Sequence, residues 1–146
     1  HLVHDAIEKG ATVLTGGYRL KGGEFERGTF YAPTLMDDVD NRMQITKEEV
    51  FGPIAPILTF QDEDELVERC NETPYGLAAY VFTKDVGRAH RVSEALEFGM
   101  VGVNNTSLSF SQAPFGGIKE SGVGREGGYY GIEEFLNLKY VAMNVQ

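Results

Sequence analysis

A single cysteine, Cys70, stands among the 146 residues of this chain. Neither an internal disulfide nor a Cys-rich zinc site is available to it. That economy fits a reducing compartment, and a cytoplasmic setting is expected. No apolar run approaches the roughly 20 residues that a membrane-spanning helix requires. No basic segment followed by an apolar stretch marks a secretory leader. Positive charge is also scarce. The formal net charge is −9, with Lys and Arg scattered among more numerous acids. Phosphate backbones are bound by clustered cations, so nucleic acid is not an expected partner, and neither is a membrane. The chain contains no internal repeat, no low-complexity segment and no opening Met.

What is present is ordinary globular material. Hydrophobic residues make up 42% of the chain, enough to fill the core of about one domain. Leu2, Val3, Ala6 and Ile7 share a helical face that Gly10 closes. No capping residue precedes that helix, and a chain continuing upstream is expected. Residues 11–15 read as a strand ending at Gly16-Gly17, residues 21–28 as a surface loop, and residues 53–60 as an apolar strand. Asp62 opens a helix that runs to Cys70, with acids at its dipole-positive end. Pro74-Tyr75-Gly76 reads as a turn and residues 77–82 as a strand. Asp85 caps a helix that Gly99 is expected to stop, and residues 100–103 form another strand. A Gly-rich loop then leads to a short helix over 129–136 and a terminal strand over 139–145. Strands alternating with helices predict an α/β fold with a largely parallel sheet, whose strand ends leave a crevice for ligands.

Two stretches carry chemical information. In Glu48-Glu49-Val50-Phe51-Gly52-Pro53, a carboxylate and an aromatic ring two positions apart can face the same way on extended backbone. Taken alone, a Phe-Gly-Pro turn before a buried strand is usually structural. The second stretch is Pro114-Phe115-Gly116-Gly117-Ile118-Lys119-Glu120-Ser121-Gly122-Val123-Gly124-Arg125-Glu126. It follows the polar and aromatic loop from Asn104 to Ala113, a position where loops often carry binding groups. In this order and at this distance, the two stretches resemble the C-terminal part of an NAD(P)-dependent aldehyde dehydrogenase.

The resemblance implies that residues 1–136 are the C-terminal portion of that family's catalytic domain and 137–146 an oligomerisation strand. It implies that Glu49 binds the nicotinamide ribose of NAD or NADP and that Phe51 packs near the nicotinamide. Ser109 lies five residues before Pro114, where members acting on apolar aldehydes often place an aromatic ring. In that respect the chain resembles succinate-semialdehyde dehydrogenases, whose serine faces the substrate's distal carboxylate. Phe115 is implied as an apolar wall near the aldehyde carbon. Phe110 and Ser111 depart from that subfamily's commoner loop residues, so another small aldehyde stays open. So does a non-catalytic association module, which an intact Glu49–Phe51 pair disfavours. The family's cysteine nucleophile precedes the Glu49 motif, so nucleophile, general base and carboxylate-binding arginines are expected upstream. The reaction implied is thiolate attack on the aldehyde, hydride transfer to nicotinamide and hydrolytic release of the acid. The terminal strand is implied to join a sheet across subunits in a homodimer or homotetramer.

Several other patterns carry less. Gly122, Gly124 and Gly127 spell G-x-G-x-x-G, but no buried strand precedes them and no acid follows about 20 residues on. Cys70 lies on the apolar face of a short helix with no His or Lys near it in sequence, a core or half-buried thiol rather than a nucleophile. His1, His4 and His90 form no ligand set, and Asp37, Asp38 and Asp40 lack calcium-loop spacing. No metal is expected.

Overall fold

The computed structural model describes residues 1–145, so Gln146, the last residue of the expected oligomerisation segment 137–146, lies outside the described residues. The chain divides into two compact units, His1–Arg69 and Cys70–Gln146.

In the first unit, helix α1 (Leu2–Glu8) buries Val3 and Ala6, three positions apart on one face. Leu2 packs beside them, while Ile7 is left 47% exposed. Strands β1 (Thr12–Thr15), β2 (Thr34–Asp37) and β3 (Ile54–Pro56) form one sheet with β2 in the middle. β1 runs antiparallel to β2, and β3 runs parallel to it. Thr34 and Met36 point inward and Leu35 and Asp37 are only partly covered, the period-two alternation of a sheet with one face on the core. Met36 and Met43 are essentially fully buried among Val3, Ala6, Ala11, Val39 and Ile45. Burying a side chain of that size contributes about 1.5–3 kcal/mol relative to leaving it in water. The one buried hydroxyl of this sheet is satisfied twice. Thr34 Oγ1 donates to the Ala32 carbonyl and accepts from the Gly17 amide, both at 2.8 Å.

Helix α2 (Glu63–Asn71) begins as its acidic start predicts. The Asp62 carboxylate accepts from the Glu65 amide, and the Glu65 carboxylate reaches back to the Gln61 amide, a reciprocal cap.

The second unit contains β4 (Tyr75–Gly76), β5 (Ala78–Val81), helix α3 (Val86–Ala95), β6 (Met100–Val103) and β7 (Ile118–Lys119). β5 and β6 pair in parallel, with α3 as the crossover that parallel neighbours require. Val92, Leu96 and Met100 are its buried apolar residues. The Asp85 carboxylate accepts from the Arg88 amide at 3.0 Å and caps α3, as expected.

Two expectations are corrected. α3 stops at Ala95 rather than near Gly99, because the Asn71 side chain takes over the helix end. Asn71 Nδ2 donates to the Ala95 carbonyl and Asn71 Oδ1 accepts from the Glu97 amide. Tyr75-Gly76 is a strand rather than a turn, paired antiparallel with β7. Within the single chain, residues 136–145 carry no strand, and Leu138, Tyr140 and Val145 are more than 80% exposed. The α/β class holds. Its strands form three small sheets rather than one largely parallel sheet, two pairings parallel and two antiparallel. Among the described residues no helix is long and apolar enough to cross a membrane.

Candidate functional site

The Glu49 segment is built by its neighbours. A single helical turn, Gln44–Thr46, ends with the Glu48 amide bonded to the Gln44 carbonyl at 3.1 Å. The Gln44 side-chain amide then engages the Glu48 carboxylate. Glu49 accepts no hydrogen bond from the described residues and is exposed. Val50 packs against the core, and Phe51 stands 93% exposed. Glu49 and Phe51 are thus both open to solvent, and Val50 between them anchors the segment to the core. Beyond them the chain turns sharply. Gly52 N donates to Val50 O at 3.0 Å and Ile54 N to Gly52 O at 2.9 Å. The Pro53 carbonyl accepts from the Thr34 amide, which fastens the turn to β2. The arrangement offers a carboxylate free to accept from hydroxyls and a ring free to stack.

In the second unit, the loop after β6 starts from a hinge that sequence reasoning missed. Asn104 holds a left-handed φ of 52°. Its amide donates to Val81 O, and its side chain bonds the amide and carbonyl of Thr83 at 3.0 and 2.9 Å. The signal was available, since Asn is the non-glycine residue that best tolerates this conformation at a strand end. Ser109 lies exposed on the loop that follows. Phe115 is half-buried and exchanges two backbone hydrogen bonds with Glu126, each 2.7 Å. It lines an open cleft of about 670 Å³ with Leu77, Arg125, Ile132 and Phe135. A smaller hollow of about 310 Å³ beside β6 is lined by Ser107, Leu108 and Phe110. Ser109 lines neither of these hollows.

Behind Phe115 the backbone is tightly packed. A Cβ on Gly99 would lie 2.0 Å from the Gly116 carbonyl oxygen, closer than any real contact. Arg125 Nη1 donates to the carbonyls of Gly117 and Gly124 at 2.8 and 2.7 Å, which closes the Gly-rich loop on itself. Gly122, Gly124 and Gly127 all have positive φ, the geometry of a folded turn. Cys70 is half-buried, and burial pushes its thiol up from the usual range. A raised pKa removes the thiolate that a nucleophile needs. Among the described residues no group of three or more His, Cys, Asp or Glu is placed to hold a metal.

The aldehyde dehydrogenase family model matches residues 1–141. The chain belongs to the aldehyde dehydrogenase family. Over 141 residues it is 50% identical to the 3-sulfolactaldehyde dehydrogenase of Pseudomonas putida, covering 97% of this chain and 28% of that protein. It is also 50% identical to the mitochondrial succinate-semialdehyde dehydrogenase of Oryza sativa subsp. japonica, covering 97% of this chain and 26% of the relative. A solved structure described as an Escherichia coli NADP-dependent enzyme superposes with a TM-score of 0.89 at 47% identity, covering 98% of this chain and 29% of that one. The chain therefore spans little more than a quarter of the length of the aldehyde dehydrogenase relatives it matches.

Proposed function

We propose that this chain is the C-terminal part of an NAD- or NADP-dependent aldehyde dehydrogenase that oxidises succinate semialdehyde, or a similar small semialdehyde, to the carboxylic acid. The observation that carries the reading is the Glu49–Phe51 pair, both residues exposed on either side of Val50, which packs against the core. A free carboxylate there fits the two hydroxyls of a ribose, and a bare ring fits a flat aromatic cofactor. The bound nicotinamide supplies the hydride acceptor. Glu49 holds its ribose and Phe51 limits its motion. Phe115 forms the apolar wall beside the aldehyde carbon, and Ser109 offers a hydroxyl to the distal end of the substrate.

Two relatives support an anionic tail on that substrate, since their names specify a sulfonate-bearing and a carboxylate-bearing aldehyde. One hydroxyl does not select an anion, so the cation belongs to the remainder of the enzyme, with the cysteine nucleophile and the general base. This chain by itself is expected to be inactive. The terminal segment 137–146 is assigned to subunit association in a homodimer or homotetramer, and a cytoplasmic setting is part of the same reading, supported by a chain that needs no disulfide. A purely associative module is the weaker reading, because association requires no exposed carboxylate and ring side by side. The complete enzyme should turn over succinate semialdehyde with a kcat/KM well above that for propanal. Equal efficiencies would remove Ser109 from the substrate site. Failure to oxidise any aldehyde would remove the activity itself.

A further inference from the structure

We propose that Lys119 is a positioning residue for the aldehyde side of the site and that it acts through Phe115. The proposal rests on the reading of Phe115 given above. Lys119 ends β7, four residues after Phe115. Its Nζ donates to the carbonyl oxygens of Asn71 at 2.8 Å and Thr73 at 3.2 Å, and pairs with the Glu97 carboxylate at 2.7 Å. One ammonium therefore joins the end of α2, the approach to β4 and the segment leading into β6. The backbone of Lys119 is left-handed, with φ 55°. A non-glycine residue keeps that conformation only where its surroundings over-determine it.

The surroundings are on view. Pairing with Tyr75 and Gly76 holds the β7 backbone, and the three contacts of the ammonium hold the side chain. Glu97 leads within two residues to Gly99, the residue on which the Gly116 carbonyl is pressed. The Lys119–Glu97 pair thus ties together the two segments that meet where Gly99 lies against Gly116, the residue after Phe115. The Lys119 side chain is 24% exposed and that of Glu97 56%, so water screens the attraction between them. The role comes from fixing geometry rather than from the energy of the pair.

The test uses the complete enzyme and steady-state kinetics in both aldehyde and nucleotide. The variants are Lys119→Met, Lys119→Arg, Glu97→Gln and Phe115→Ala, with Lys119→Met also placed in the Phe115→Ala background. Lys119→Met and Glu97→Gln should each raise the aldehyde KM roughly fivefold and leave the nucleotide KM unchanged. Lys119→Arg should recover part of the loss. In the Phe115→Ala background, Lys119→Met should add nothing. If Lys119→Met lowers thermal stability but not aldehyde affinity, or its effect adds in full to that of Phe115→Ala, Lys119 is purely structural and the proposal is overturned. Should Lys119→Met not fold, Glu97→Gln decides by the same criteria. A normal aldehyde KM in Phe115→Ala defeats the reading of Phe115 and this proposal together. A raised KM there with an unaffected Lys119→Met defeats this proposal alone.

Discussion

Two adjacent glutamates are put to different uses. Glu48 is engaged by Gln44 and finishes a turn, whereas Glu49 is left without a partner among the described residues. Glu49→Gln keeps the size and removes the charge. In the complete enzyme it should lower kcat at least about tenfold, the scale of a lost charge-assisted hydrogen bond at a reacting centre. Steady-state kinetics with a nucleotide-binding titration checks this, and unchanged values in both would take Glu49 out of the site. At this scale the sequence was informative wherever the logic is local. Val50, the apolar residue between Glu49 and Phe51, packs against the core, while its two neighbours are exposed. Lys119 was not legible, because the carbonyls it grips lie up to 48 residues away.

Helix beginnings were readable and one helix end was not. The caps at Asp62 and Asp85 follow from side chains within three residues of the amides they accept from. The stop of α3 is imposed by Asn71, 24 residues earlier, which no local rule reports. The β4–β7 ladder was hidden for the same reason, since the partner of Gly76 lies in the Gly-rich motif. Asp85 makes a prediction for this element. Its hydrogen bond from the Arg88 amide holds its carboxyl below the usual 3.8. A group with a depressed folded pKa stabilises the fold above its unfolded value, and that stabilisation drains away as pH falls through the folded value. Asp85→Ala should therefore speed hydrogen exchange in the first turn of α3 near neutrality. In the unmutated protein the same amides should lose protection only below about pH 4. Equal exchange in both proteins near neutrality would mean that the cap does not hold the helix.

Across the whole molecule, the proposed cofactor residues belong to the first unit and the proposed substrate residues to the second. The α/β class was legible from the alternation of periodicities, while the division into small ladders depended on pairings that sequence patterns do not encode. The terminal strand was expected from alternation over 139–145, and within one chain those residues find no ladder. Removing residues 139–146 from the complete enzyme should reduce its particle size in sedimentation to that of a smaller assembly. A deletion variant that sediments like the parent would end the oligomerisation reading. The crowding at Gly99 has a consequence for laboratory evolution. A saturation library at that codon should behave as a two-position switch, glycine tolerated and every other residue rejected. At neighbouring Phe98, half-buried and unconstrained in this way, the same library should grade smoothly with side-chain volume.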